Sequence, residues 1–341
     1  MMPENDGPRS GLPCVAVLGT GGTIAGAYTC DGTTDYVAGA FSIEFLLAAV
    51  PQLGSMATLR AEQLANVGSQ DMRHDVWHAL ATRIAALRDD ADVDGIVVTH
   101  GTDTLEETAY FLDRVLPAGK PVILTGAMRP ATALGADGPA NLYAAVALAA
   151  HPLARDRGVL VVMNEDIHEA AGVQKIAAAG VAAFASPDRG PAGVMQDDRP
   201  WFYRVAGSRS QAGWPMCGAL LPDPAQWPRV GVVHAHADMQ ADIIEFMATR
   251  YDGLVLAGVG NGNATAAAMH ALAHAAAQGV AVVRASRTGR GQVARNVEVD
   301  DDGLGFIAGG GLSPQKARVL LTLALMSTND RIALQACFDA A

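Results

Sequence analysis

Basic residues are too few here for a nucleic-acid partner. Lys and Arg number 24 against 35 Asp and Glu, a net charge of −11 at pH 7, whereas a phosphate backbone demands a basic patch. The acidic balance describes a solvated surface and selects no ligand. Long apolar runs are missing too: none approaches the ~20 residues of a membrane span, and the alanine-rich stretch from Ile176 to Ala185 is short and holds a glycine. Cys14, Cys30, Cys217 and Cys337 are widely scattered with no C-x-x-C spacing, which argues against a zinc ribbon, a redox pair or a disulfide framework and reads as incidental thiols. Cys30 falls in a Gly/Thr/Asp-rich loop, where a thiol is open to reaction. The first residues, Met1-Met2-Pro3-Glu4-Asn5-Asp6-Gly7, have neither a basic nor an apolar segment. The expectation is therefore a cytoplasmic protein, the alternative being a processed periplasmic form. Aromatics make up only 5%, so alanine, valine and leucine must fill the core.

What is present is an alternation of strand-length apolar runs and helical patterns. Strands are expected at Cys14–Leu18, Gly95–Val98, Val122–Leu124, Val159–Met163, Val230–Val233, Gly253–Leu256 and Val280–Val283. Helices are expected at Ile43–Val50, Val76–Leu87, Leu105–Leu116, Leu142–Ala150, Met239–Thr249, Thr265–Gln278 and Gln315–Met326. Strands spaced by helices make βαβ units, and continuous apolar strands are those of a buried parallel sheet. Between about Pro187 and Pro228 the pattern breaks up: Pro200–Arg204 reads as an edge strand and Pro215–Pro228 as a linker. The fold class is α/β, a larger, mostly parallel-sheet N-terminal domain (12–214) followed by a smaller C-terminal α/β domain (229–341).

Two threonines stand in glycine-rich turns directly after apolar strands: Thr23 in Gly19-Thr20-Gly21-Gly22-Thr23-Ile24-Ala25-Gly26, and Thr102 in Thr99-His100-Gly101-Thr102-Asp103-Thr104. Ligands of open α/β sheets bind past the carboxyl ends of the strands, and glycine there lets a substrate approach the backbone closely. Two exposed hydroxyls, one with an adjacent carboxylate, suggest a hydrolytic site built on hydroxyl chemistry. The dinucleotide fingerprint fails, because Ile24 stands where the third glycine belongs. His234-Ala235-His236 puts two imidazoles on one strand face with no third ligand evident, so no metal is expected.

These turns, together with Gly68-Ser69-Gln70-Asp71, Gly126-Ala127-Met128-Arg129-Pro130, Ala136-Asp137-Gly138-Pro139, Gly260-Asn261-Gly262-Asn263 and Pro314-Gln315-Lys316-Ala317-Arg318, run collinearly from about residue 14 to the C-terminus. In them the chain resembles the bacterial L-asparaginases, closest to the class II type and the related glutaminase-asparaginases. The resemblance implies an L-asparagine amidohydrolase that needs no cofactor. Thr23 would be the nucleophile and Tyr36, at the end of the Gly26–Gly39 loop, would close beside it. Thr102, Asp103 and Lys175 would form a hydrogen-bonded triad, although Ala170-Ala171-Gly172 stands where the family has an arginine shortly before that lysine. Ser69, Gln70 and Asp103 would hold the α-carboxylate and α-ammonium, and the Ala127 carbonyl would accept from the side-chain amide. Asn263 and Glu298 would reach into a neighbouring subunit's site within a homotetramer, a dimer of intimate dimers. Gln70 with Asn263 is the pair associated with asparagine preference, with minor glutaminase activity expected.

The residues alone leave the base at each step open between Tyr36 and the Thr102–Lys175 pair. Two rival functions differ in class. One is an amino-acid-binding protein that retains the pocket, against which the presence of Thr23, Thr102 and Asp103 argues. The other is an amidotransferase subunit passing ammonia to a partner, which would call for further domains or a basic surface.

Overall fold

The computed structural model describes residues 11–28, 36–205 and 221–341; the expectations for Cys30, for Cys217 and for the first part of the Pro215–Pro228 linker lie outside the described residues. The chain divides into two units. One takes in the described residues up to 105 together with 118–186 and 191–205; the other takes in 106–117, 187–190 and the described residues after 220.

In the first unit the expected strands appear as β1 (Cys14–Gly21), β3 (Gly95–Thr99), β4 (Val122–Thr125) and β5 (Val159–Met163). The edge strand expected at Pro200 is β8 (Arg199–Phe202), and the structure further shows β2 (Thr58–Val67), β6 (Asp166–Glu169) and β7 (Gly193–Gln196). The order is β8-β7-β6-β5-β4-β3-β1-β2. From β5 to β2 neighbours are parallel, and β6, β7 and β8 extend that sheet antiparallel. The central strands are buried on both faces, with Val15, Val17, Ile96, Val97 and Ile123 wholly inaccessible, which is why they read as unbroken apolar runs. Strand β2, which the Ser69-Gln70 turn follows, is the sheet's edge and mixes exposed with half-buried residues, so only part of it reads as an apolar segment. The Pro200 segment is the opposite edge strand, as expected; an edge tolerates proline's missing donor.

Helix α1 (Ile43–Ala48) is capped by Ser42, whose hydroxyl accepts from Phe45 N, and α2 (His74–Asp89) buries Val76, Trp77, Leu80, Ile84 and Leu87. Helix α3 (Leu105–Val115) follows β3 directly and is buried on nearly every face. Helix α4 (Gly138–Ala150) opens on Gly138-Pro139, where the missing proline N–H costs nothing.

The second unit has a four-stranded parallel sheet, β9 (Val230–His234), β10 (Gly253–Gly258), β11 (Ala281–Ser286) and β12 (Phe306–Ala308), in chain order. Helices α5 (Asp242–Ala248), α6 (Ala266–Ala277) and α7 (Asp301–Leu304) alternate with its strands, and α8 (Pro314–Leu325) and α9 (Arg331–Asp339) follow. Helix α5 starts three residues later than its pattern suggested, and α9, capped by Asp330, was not anticipated. Residues 106–117 group with this unit through specific contacts: Phe111 lies against Trp227, Gln315 Nε2 donates to Glu106 Oε1 at 2.7 Å, and Arg318 pairs with Glu107 at 2.9 Å. Lys316, fully buried on α8, has its ammonium pushed down to about 8 by burial, opposed by Glu106 and Asp113.

Candidate active site

The first unit reverses its winding between β1 and β3. From β1 the chain passes to β2 on one side, returns through α2 to β3 on the other, and continues outward to β4 and β5. A crevice opens at such a switch point, past the carboxyl ends of the strands. Thr23 follows β1 and Thr102 follows β3, so both sequence-marked turns flank it.

The two turns touch. Thr20 Oγ1 donates to the Thr99 carbonyl at 2.8 Å, tying the two strand ends. Gly22 sits at φ 79°, and a Cβ there would fall 2.2 Å from Gly101 Cα. No other residue fits, so the glycine immediately before Thr23 is what lets this turn reach the one carrying Thr102. A third segment joins from the end of β2. Gly22 N donates to the Val67 carbonyl at 2.9 Å, and a Cβ on Gly101 would fall 2.8 Å from Ser69 Oγ. Ser69 Oγ accepts from Asp103 N at 3.1 Å, and Thr104 Oγ1 donates to the Ser69 carbonyl at 2.8 Å. Thr23, Ser69 and Thr102 are thus drawn together from three parallel strands.

Lys175 arrives from a two-residue ladder, Gln174–Lys175 with Phe184–Ala185. Its Nζ donates to Thr102 Oγ1 at 2.9 Å and to Asp103 Oδ1 at 2.6 Å, across more than seventy residues of chain. Thr102 is buried and Asp103 exposed. Since Thr102 Oγ1 accepts from the ammonium, its own proton is directed elsewhere. Ser69 Oγ likewise accepts from a backbone N–H and keeps its proton for another acceptor.

Ala127 is buried in the turn after β4. Asp137 holds that turn: its two carboxylate oxygens accept from Met128 N and Arg129 N, both at 2.9 Å. Asn141 Nδ2 donates to the Gly126 carbonyl at 3.0 Å, and its Oδ1 accepts from Asn164 N at 3.0 Å. Sequence reading assigned no role to Asn141. The available signal was its place one turn after Asp137, at the start of a helix. His100 is fully buried beside Thr102. Its Nδ1 donates to the Gly101 carbonyl at 2.7 Å, and burial pulls the imidazole down to about 4, so it is neutral at physiological pH.

Gln70 lies next to Ser69, its Nε2 3.3 Å from Asp71 Oδ2. The backbone of Tyr36 pairs with Tyr28 in a two-residue ladder, while its side chain and residues 29–35 of the Gly26–Gly39 loop lie outside the described residues. In the second unit, Asn263 Nδ2 donates to Glu298 Oε2 at 2.5 Å, joining the two residues expected to serve a neighbouring subunit. Among the described residues no group of three or more His, Cys, Asp or Glu is arranged to hold a metal. His234 and His236 are both exposed.

The chain matches two family models, Asparaginase, N-terminal over residues 14–206 and Glutaminase/Asparaginase C-terminal domain over residues 229–338. It is 44% identical to L-asparaginase 2 of Escherichia coli strain K12, over 98% of this chain and 94% of that protein. It is 38% identical to the glutaminase-asparaginase of Pseudomonas fluorescens biotype A, over 97% and 91%. Its fold superposes on the crystal structure of a probable cytoplasmic L-asparaginase from Campylobacter jejuni with a TM-score of 0.90 at 40% identity, over 96% of this chain and all of that one. With both halves matched end to end and the glycine-paired threonine turns at the switch point, the chain belongs to the asparaginase family.

Proposed function

We propose that this protein is an L-asparagine amidohydrolase, releasing L-aspartate and ammonia, with L-glutamine as a minor substrate. The observation that carries the reading is the contact of the Thr23 and Thr102 turns at the switch point, with Lys175 bonded to both Thr102 and Asp103. Thr23 Oγ attacks the side-chain amide carbon. The C=O π pair moves onto oxygen as an oxyanion, for which backbone N–H groups are the natural donors. The C–N bond then breaks, ammonia leaves with a proton, and an aspartyl ester remains on Thr23. Water attacks the ester to free aspartate, and the threonine takes its proton back. The chain Thr102–Lys175 offers a proton path beside this centre, since a hydroxyl that accepts from an amine can donate onward. Ser69 O–H and the Gln70 amide suit the substrate α-carboxylate. Asp103 suits the α-ammonium, and the Ala127 carbonyl distinguishes an amide NH₂, which donates, from a carboxylate, which does not.

Asn263 and Glu298, bonded to each other on the second unit, complete a neighbouring subunit's site in this reading, so the working form is a homotetramer of intimate dimers. The family-model limits at 206 and 229 support domains of 12–214 and 229–341. We assign the enzyme to the cytoplasm, where free thiols such as Cys14 and Cys337 persist in a reducing medium; cell fractionation checks it.

Ammonia release from L-asparagine and L-glutamine, measured side by side with Thr23→Ala, tests the reaction. Asparagine turnover should vanish in the variant while aspartate binding survives, because the α-group contacts lie elsewhere. A variant that still turns over removes Thr23 as nucleophile. One extra methylene is worth only ~1–3 kcal/mol of discrimination, so glutamine should be cut about 10- to 200-fold more slowly. Equal rates would overturn the preference.

A further inference from the structure

An arginine in the middle of a buried parallel strand is the least expected residue of the second unit. Arg284 lies on β11, flanked by buried Val283 and Ala285 and paired in register with Leu256 and Ala308. A charge with no access to water is costly unless every donor finds a partner. Here all five do. Nε donates to Asp301 Oδ1 at 2.6 Å and Nη2 to Asp301 Oδ2 at 2.8 Å. The second Nη2 direction meets the Ala294 carbonyl at 3.4 Å, and Nη1 donates to the carbonyls of Asn261 at 2.8 Å and Gly262 at 3.3 Å.

These acceptors fall on two loops. Asn261 and Gly262 immediately precede Asn263. Ala294 and Asp301 bracket the segment that carries Glu298. The bracket is closed by further bonds: Asp301 Oδ2 also accepts from Asn296 N at 2.8 Å, and Ala294 N donates to Asn261 Oδ1 at 3.0 Å. Asn263 is fixed on its own side by a reciprocal backbone pair with Val259. One guanidinium therefore sets the separation of the two loops, and the Asn263–Glu298 bond is made between them. The hydrogen bonds of Arg284 go to neither side chain, and both residues are far more open to solvent than it is.

We infer that the Arg284–Asp301 pair is a positioning device for the Asn263–Glu298 half-site, fixing the amide and carboxylate that a neighbouring subunit's substrate meets. This rests on the shared-site reading above. Stability alone would not require the guanidinium to reach three carbonyls on the two loops, since well-packed apolar side chains commonly replace a buried ion pair without loss. Lysine would retain the charge but lose the planar fork that spans both loops.

The test uses full-length chains carrying two different tags, co-expressed so that mixed oligomers can be purified. Arg284→Lys alone should raise KM for asparagine at least tenfold with a smaller change in kcat, the same split expected of Glu298→Gln. Mixed with Thr23→Ala, it should gain at least about fivefold activity at low asparagine over either parent, since one of every two sites is restored. One site of such a pair joins an intact Thr23 from one chain to an intact half-site from the other. If Arg284→Lys keeps the wild-type KM, or fails to complement Thr23→Ala where Glu298→Gln does complement it, the positioning role is overturned. If Glu298→Gln also fails to complement, the shared-site reading falls and takes this inference with it. Should Arg284→Lys not fold, Asp301→Asn, which keeps the acceptor's shape, enters the same mixture with the same outcomes.

Discussion

Lys175–Asp103 and Arg284–Asp301 are both closed at 2.6 Å, yet their surroundings are opposite. The first leaves Asp103 58% exposed and Lys175 16% exposed, while the second admits no water to either side chain. Distance therefore says nothing about what a charge pair does. In the first unit the pair stands at the proposed site beside bonding capacity left over: Asp103 has its second oxygen, and Thr102, the other acceptor of Lys175, has its proton. In the second unit every donor of the arginine is consumed within the protein, so the pair can hold loops but exchange nothing. In the proposed reading one pair serves chemistry and the other geometry, and mutations should separate them.

The largest separation is expected in rate. Lys175→Met removes a proton carrier from the proposed site and should lower kcat for asparagine by about 10²–10⁴-fold, the usual worth of a positioned acid or base. Because the pair is open to water, the unfolding midpoint should hardly move. A rate within threefold of wild type would remove Lys175 from the mechanism.

Asp301→Ala should do the reverse to stability. Leaving Arg284 buried and unpaired typically costs about 3–5 kcal/mol, read as a lower midpoint in urea. The double variant Arg284→Met/Asp301→Leu should recover most of that loss without recovering the KM for asparagine. Recovery of both would mean that packing, not the fork, sets the half-site.

His100 brings full burial into the first unit's own site and gives it a pH signature. Its folded value of about 4 lies below the 6.5 of an exposed imidazole, with burial as the cause. Between those values the unfolded chain binds the extra proton, so stability is complete above pH 6.5 and falls as pH drops towards 4, by roughly 3 kcal/mol. His100→Gln should flatten that slope in acid-unfolding curves. An unchanged slope would mean the imidazole gains its proton without cost.

The sequence makes the turns legible but not what meets them. Thr23 and Thr102 stand out because glycine and a preceding apolar run are local signals, and the strands that deliver them have near-continuous hydrophobicity. Lys175 carries no local signal at all: it is one lysine in an irregular stretch, and its partners lie more than seventy residues upstream. The half-site was visible as a family motif, yet its support was not. The apolar pattern of β11 was read as ending at Val283, one residue before the arginine that organises both loops. A charge inside such a run is the signal that would have found it, because buried strands carry charge only where partners are supplied.

Asp301 and Asp302 offer the smallest and sharpest version of the comparison, being adjacent in sequence and each paired with an arginine. Asp301 meets Arg284 in the interior, while Asp302 meets Arg295 at 2.5 Å with 42% of each side chain exposed. The Arg295 hydrogen bond, then that of Asn296, holds the Asp302 carboxyl below its ordinary range. Water competes for both partners at that surface and salt screens them. Arg295→Ala should therefore leave the unfolding midpoint and the KM for asparagine where they are, although the residue lies only three positions from Glu298. If Arg295→Ala instead raised KM as Arg284→Lys is expected to, the loop would be held from its surface, and burial would not be what distinguishes a positioning charge from an idle one.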